Sequence, residues 1–456
     1  MKTDCIAIVL AAGEGKRMKS KTRKVLQPAA GKALTEWTVD AAREGTGPTP
    51  VLVVGENADD VRAYFGDSVH YAVQTEQLGT GHAVMSASEH IQGDGYVFVV
   101  AGDMPLIRPE TFTKIAAKAA AENLGACILT AVVDDPCGYG RIVRGEDGGV
   151  LRIVEHKDAD EAERAINEIN PSVYCFKIPL LMEALDNLKN DNVQGEYYIT
   201  DCVEYIAGKG QRVGAVVADD PVEGVNVNDR VQLAFVAKQL RRRINEKLML
   251  AGVHIIDPDA TYIEAGVQIG QDTVVYPGVT LQGSTVVGED SVLYPGSRIE
   301  NSAIGNGTTV QNSVILESKV GDNSTIGPYA YLRPNSVVGN GCRVGDFVEL
   351  KNAEMKDGAK ASHLSYIGDG EVGEKANIGC GVVFANYDGE KKMRTVVGKG
   401  AFVGCNSNLV APVTIGDGAY VAAGSTVTKD VAPDSLCIAR SRQKDIEGWA
   451  KRRRGE

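Results

Sequence analysis

The sequence lacks the features that would tie a chain to a membrane, to nucleic acid or to an oxidising compartment. No apolar run is long enough to span a bilayer. The start, Met1-Lys2-Thr3-Asp4 followed by a short apolar strand, does not read as a secretion leader. The nine cysteines are scattered and no two form a CxxC pair, so they are expected to be reduced thiols in a cytoplasmic protein. Positive charge is in deficit: 48 Lys and Arg stand against 60 Asp and Glu, a net charge of -12 that argues against general nucleic-acid affinity. The basic tail Lys451-Arg452-Arg453-Arg454 is too short to reverse this. Neither nucleic acid nor membrane is expected as a partner. Histidine is scarce beyond residue 251, where only His254 and His363 occur.

Glycine is abundant instead, at 52 of 456 residues, and it comes with a period. An aliphatic residue recurs every six positions at Val397, Val403, Leu409, Ile415, Val421 and Val427. A helix repeats at 3.6 and a simple strand at 2, so neither sustains this period. A parallel β-helix does: each six-residue unit is a short strand and a turn, and three units make a coil of ~18 residues. The step also runs through Ile269, Val275, Leu281 and Val287, then Val320 and Ile326, then Val338 and Val344. Phase shifts near 304, 320 and 372 predict loops or irregular corners.

The N-terminal half follows another rule. Short apolar strands at Cys5–Ala11, Val51–Val54, Tyr96–Ala101, Ala126–Val132 and Val213–Val217 alternate with helical stretches. That is an α/β pattern with a mainly parallel sheet, whose ligands bind beyond the carboxyl ends of the strands. The predicted organisation is therefore a domain over 1–228, a helical linker over 229–251 and a β-helix over 252–456 with a C-terminal tail.

The first strand runs into Leu10-Ala11-Ala12-Gly13-Glu14-Gly15-Lys16-Arg17-Met18, small residues whose exposed N–H groups can cradle phosphate. Arg17 and Lys24 are candidate partners for a triphosphate. The loop is neither a Walker motif nor a strict GxGxxG. Asp103 directly follows a strand, where a carboxylate could take Mg²⁺. In the β-helix region His363 sits in Ser362-His363-Leu364-Ser365-Tyr366, and an imidazole suits general-base work near neutral pH.

The loop, together with KVLQPAAGK (24–32), QTEQLGTGHA (74–83), Ala101–Leu106, Gly138–Ile142 and Val154–Asp158, resembles the signature of sugar-phosphate nucleotidylyltransferases. Joined to a hexapeptide-repeat region, almost the whole chain resembles the bacterial family of bifunctional N-acetylglucosamine-1-phosphate uridylyltransferases and glucosamine-1-phosphate N-acetyltransferases. The resemblance implies a Rossmann-like nucleotidyltransferase domain and a left-handed parallel β-helix. It also implies a homotrimer with an acetyl-CoA cleft between neighbouring prisms. The implied substrates are glucosamine 1-phosphate, acetyl-CoA, UTP and N-acetylglucosamine 1-phosphate. The product, UDP-N-acetylglucosamine, feeds peptidoglycan and lipopolysaccharide precursors.

By resemblance, Leu10, Ala11, Ala12 and Gly13 hold the nucleotide, and Arg17 and Lys24 neutralise its phosphates. Gln74, Gly79 and Thr80 read the uracil. Ala101, Gly102 and Asp103 line the site, and Gly140, Glu155 and Asn170 hold the sugar. Asp103 and an asparagine hold Mg²⁺. In Gly224-Val225-Asn226-Val227-Asn228-Asp229-Arg230, counting back from Arg230 selects Asn228 and counting forward from Gly224 selects Asn226; Asn228 is preferred. In the β-helix, His363 is the implied base, Arg333 and Lys351 bind the sugar phosphate, and Tyr366 and Asn377 contact the sugar. Asn386 and Tyr387 orient amine and thioester. Cys380, Cys405, Ala423 and Arg440 line the acetyl-CoA site, Cys405 as a small packing residue.

The chain departs from the family at two places. Asn170-Pro171-Ser172 stands where Asn-Thr-Gly is common, and Thr22-Arg23 stands where Leu-Pro commonly precedes the lysine, adding a charge beside Lys24. The alternative is a single-activity sugar-1-phosphate nucleotidylyltransferase with a regulatory β-helix. That reading has no need of His363, Arg333, Lys351 and Asn386-Tyr387.

Overall fold

The computed structural model describes residues 5–456. The leader reading at Met1–Asp4 lies outside the described residues. The chain divides into two compact units, with the boundary between Leu240 and Arg241. That boundary falls inside one helix, Arg230–Leu250, at the place where a linker over 229–251 was expected.

Among the described residues the first unit is built on a ten-stranded sheet. Strands Ile6–Leu10, Val51–Gly55, His70–Gln74 and Tyr96–Ala101 are parallel neighbours. Strand Val173–Lys177 then runs antiparallel between Tyr96–Ala101 and Ala126–Val132, and Gly140–Arg144 with Val150–Val154 form an antiparallel pair. The sheet is thus mixed where a mainly parallel one was expected, because Val173–Lys177 enters without a crossover helix before it. Period-two alternation sends Ala7 and Val9 into one buried cluster and Ile8 into another. Helices Leu34–Thr46 and Pro109–Ala121 cover the first cluster, Ile178–Asp186 and Thr200–Gly208 the second.

The second unit is a left-handed β-helix. Among the described residues its three parallel sheets hold 11, 10 and 9 strands. Each strand is two to four residues long, and most send one aliphatic side chain into a continuous core: Val275, Leu281, Leu293, Ile299, Leu350 and Val403 are fully buried. Coil length follows from register. Leu281 pairs with Ile299, Ile299 with Ile315 and Leu350 with Ile367, steps of eighteen, sixteen and seventeen residues. The phase shifts near 304, 320 and 372 are therefore corners trimmed by a residue or two, not loops, since Ile304, Val320 and Val372 all stay buried in strands. The one long coil has another cause. Val372 pairs with Val397, twenty-five residues on, because the segment between Ala385 and Thr395 leaves the prism. The first coil is closed by the helix end: Ile244, Leu248 and Met249 pack on the core, and the buried Asn245 amide donates to the carbonyls of Pro258 and Thr261. Such a cap removes the open end that a stack of repeats otherwise exposes.

Candidate active sites

A cleft of about 310 Å³ opens at the carboxyl ends of the parallel strands. Leu10–Gly13, Lys24, Gln74, Gly79, Thr80, Ala101, Asp103 and Glu155 all line it, so most of the residues expected at the nucleotide site share one space. The Gly102 amide donates to the Leu10 carbonyl at 2.9 Å, locking the two strand ends together. Gly15 takes φ 65°, and a Cβ there would lie 2.5 Å from that of Lys24, so only glycine lets the loop fold over the lysine.

The charged centre is compact. Lys24 Nζ lies 2.5 Å from Asp103 Oδ2, both side chains mostly buried. Asn226 Nδ2 donates to Asp103 Oδ1 at 3.0 Å. Asn228 Oδ1 accepts from Arg17 at 2.9 Å and from Lys24 at 3.4 Å. Both asparagines that the sequence left open therefore reach the centre, in different roles: the Asn226 amide nitrogen pins Asp103, and the Asn228 amide oxygen faces the cations. A carboxylate and an amide oxygen are hard donors of the type Mg²⁺ takes, and phosphates and water usually complete its shell. Among the described residues no group of three or more His, Cys, Asp or Glu forms a self-sufficient metal cage.

Around this centre, Gln74 donates to the Gly79 carbonyl at 3.1 Å, and the Thr80 hydroxyl accepts from the Ile199 amide. Burial pushes the Glu155 carboxyl up, against a hydrogen bond from Thr200. Asn170 is buried and turned inward: its amide donates to Tyr174 Oη at 2.7 Å and accepts from the Ser172 amide. Gly140 pairs with Asn170 in the antiparallel register, and neither lines the cleft. Ser172 takes φ 71°, a conformation that glycine adopts without strain. Arg23 does not add charge beside Lys24; it turns outward to Asp60 at 2.9 Å and to the Asn57 carbonyl. The sequence reading missed Gln77, whose amide donates to the Ala12 carbonyl at 2.9 Å and holds the loop from the far wall.

The β-helix carries a second cluster. His363 Nδ1 lies 2.6 Å from Asp346 Oδ1, and Asp346 is held below the usual carboxylate range by that hydrogen bond. On the adjacent sheet Arg333 pairs with Glu349 at 3.0 Å. Lys351 lies 3.4 Å from Asp369. Asp369 also accepts from Asn352 and from Asn386, whose side chain is buried. Lys351 is pushed up by its hydrogen bond with Lys392 and by Asp369, while Lys392 is pushed down by the same contact. Lys351, Lys392 and Arg333 thus gather hydrogen-bond donors of the kind an anion takes. Tyr366 lies one coil after Glu349, and a Cβ on Gly368 would come within 2.4 Å of its hydroxyl. Asn377 stands between Lys360 and Phe402 on the sheet that carries His363. Tyr387 is exposed in the segment that leaves the prism.

Cys380, Cys405 and Ala423 stack on successive coils at one corner, where the Cys380 carbonyl accepts from Asn406 and the Cys405 carbonyl from Gly424. Arg440 reaches the same corner, its Cδ 4.0 Å from the Cβ position of Gly424. Cys405 is exposed, not a packing residue. Asp346, Asp369 and Lys392 were not foreseen, although each lies about one coil length from a residue that was, or on the same outlying segment.

The MobA-like NTP transferase domain family matches residues 7–173. The bacterial transferase hexapeptide family matches residues 317–352 and 394–429. Three full-length relatives, each called bifunctional protein GlmU, come from Clostridioides difficile strain 630 (50% identity over 98% of this chain and 97% of the relative), Geobacillus sp. strain WCH70 (51%, 98% and 97%) and Caldanaerobacter subterraneus subsp. tengcongensis (50%, 99% and 98%). The chain belongs to the bifunctional GlmU family. It is accordingly a uridylyltransferase and a glucosamine-1-phosphate N-acetyltransferase of UDP-N-acetylglucosamine synthesis. In a GlmU protein two activities are needed, and each unit here carries one cluster of charged and polar side chains. Among the described residues no helix is long and apolar enough to cross a membrane.

Proposed function

We propose that the cleft at Asp103 carries uridylyl transfer and that the His363 cluster carries acetyl transfer. The observation that supports the division is the pairing of opposite chemistries. One unit holds a carboxylate among cations at a Gly-rich loop. The other holds an imidazole paired with a carboxylate on one sheet, and Arg333 and Lys351 on the adjacent sheet.

In the acetyl site, Arg333 and Lys351 bind the phosphate of glucosamine 1-phosphate, with Tyr366 and Asn377 against the sugar. His363 Nε2 takes a proton from the amine as the amine attacks the acetyl-CoA thioester carbon; the C–S bond breaks, the imidazolium returns that proton to the sulfur, and CoA leaves as the thiol. Asn386 and Tyr387 orient the reacting groups, and Cys380, Cys405, Ala423 and Arg440 line the acetyl-CoA site. In the uridylyl site, a phosphate oxygen of N-acetylglucosamine 1-phosphate attacks the α-phosphorus of UTP, and the bond to pyrophosphate breaks. This chemistry needs alignment and charge neutralisation above all. Arg17 and Lys24 neutralise the triphosphate, Leu10–Gly13 follow its backbone, and Gln74, Gly79 and Thr80 read the base. Glu155, with Gly140 and Asn170 behind it, holds the sugar.

Asp103 and Asn228 would hold Mg²⁺, whose charge stabilises the leaving pyrophosphate. Asn228 is favoured over Asn226 because its amide oxygen already faces a cation. A homotrimer and a cytoplasmic setting complete the reading. Mass-spectrometric analysis of products from glucosamine 1-phosphate, acetyl-CoA, UTP and Mg²⁺ tests it: UDP-N-acetylglucosamine supports both halves, and N-acetylglucosamine 1-phosphate alone removes the uridylyl half. Mg²⁺ titrations of Asn228→Ala and Asn226→Ala test the metal register, and a larger shift for Asn226→Ala overturns the choice of Asn228.

A further inference from the structure

We infer that Asp346 is a positioning residue for acetyl transfer, fixing the tautomer and direction of the His363 ring. Asp346 and His363 are register partners on adjacent parallel strands, Arg343–Asp346 and Lys360–His363, so their side chains leave the same face one coil apart. The contact is 2.6 Å, from Asp346 Oδ1 to the ring nitrogen Nδ1. A carboxylate in its ionised form only accepts hydrogen bonds, so Nδ1 must carry the proton. In the neutral ring the lone pair is then on Nε2. The side chain is 54% exposed, so substrate can reach the ring.

A free neutral imidazole prefers the opposite tautomer, with the proton on Nε2, and a base so protonated cannot accept the amine proton. An exposed ring on a flat sheet also has few packing contacts to hold its rotamer, so the carboxylate supplies both proton placement and direction. The backbone underneath is equally constrained: a Cβ on Gly345 would lie 1.9 Å from the Ser362 carbonyl oxygen, so the two coils approach closely just where the pair sits.

The inference rests on His363 being the base, and the experiment separates the two. Asp346→Ala, Asp346→Asn and His363→Ala are assayed for acetyl transfer with glucosamine 1-phosphate varied, and ring ¹⁵N spectra locate the His363 proton. Asp346→Ala is expected to lower kcat by roughly tenfold to a hundredfold, part of the 10²–10⁴ that a general base contributes. KM for glucosamine 1-phosphate should stay unchanged, and the Nδ1 proton signature should be lost. Asp346→Asn, whose amide oxygen can accept the same bond, should rescue most of the rate and the Nδ1–H tautomer. Wild-type kcat in Asp346→Ala overturns the inference, and so does an equal loss in both Asp346 variants accompanied by a raised KM, which marks a merely structural role. Full acetyl transfer in His363→Ala overturns the assignment of the base beneath it instead.

Discussion

The two units assemble their sites by opposite means. In the α/β unit the partners are remote in sequence: Lys24 and Asp103 are 79 residues apart, Asp103 and Asn226 123. They meet because parallel strands end along one edge of the sheet. In the β-helix the partners are a coil apart: 17 residues separate Asp346 from His363 and Asp369 from Asn386, and 18 separate Lys351 from Asp369. The first site therefore depends on the whole topology of its unit, and the second on the stacking of a few neighbouring turns.

The sharpest way to break that comparison is at the charged centres. Asp103→Ala should lower uridylyl transfer by orders of magnitude, followed as pyrophosphate release, because Lys24 loses its ion partner and the Mg²⁺ that would neutralise the leaving group loses a ligand. CoA release in the acetyl assay should not change; a parallel loss there would mean that the units do not work independently. The mirror experiment is smaller. His363→Ala should slow acetyl transfer by roughly 10²–10⁴-fold while leaving pyrophosphate release intact.

Packing gives a third test. Leu350 is fully buried on the strand that carries Lys351. Leu350→Ala should destabilise by about 2–5 kcal/mol. Because each coil touches only its neighbours, the loss should appear as local melting around the proposed acetyl site. Thermal inactivation of acetyl transfer should move to lower temperature while that of uridylyl transfer stays in place.

The smallest effect concerns protons. Asp201 is raised to about 6 by burial first, then by Glu204 and Asp158. Its folded value lies above the unfolded one, so the native state holds the proton more tightly. Stability thus falls as pH rises from about 4 to about 6, and the penalty is complete above that. Burial pushes Glu155 in the same direction. Asp201→Asn should raise the melting temperature modestly at pH 7, with the gain vanishing near pH 4. An equal gain at both pH values would mean that the carboxyl is not the cause.

These contrasts track what the sequence made legible. The six-residue period exposed the prism because each inward aliphatic is obligatory, and Val397 to Val427 are buried or nearly so along that stretch. The Gly-rich loop, Gln74 and Asp103 were readable because each follows a strand or lies in a recognisable run. Sheet direction was not readable: Val173–Lys177 looks the same whichever way it runs. Nor was the inward turn of Asn170, which depends on a buried Tyr174 hydroxyl needing a partner. Asp346 and Asp369 escaped because coil length wanders from sixteen to eighteen residues, which blurs the stride that would have pointed from His363 to Asp346 and from Lys351 to Asp369.

The long coil shows how such a scaffold is elaborated. The segment carrying Asn386, Tyr387 and Lys392 leaves the prism after Ala385 and rejoins it at Thr395, and the strands on either side keep unbroken register with the coils above and below. It is a bracket bolted onto a girder. Removing it would leave a plain column, sound but without the Asn386 amide that meets Asp369, and lengthening or reshaping it would alter what the column presents without redrawing a single rung of the ladder.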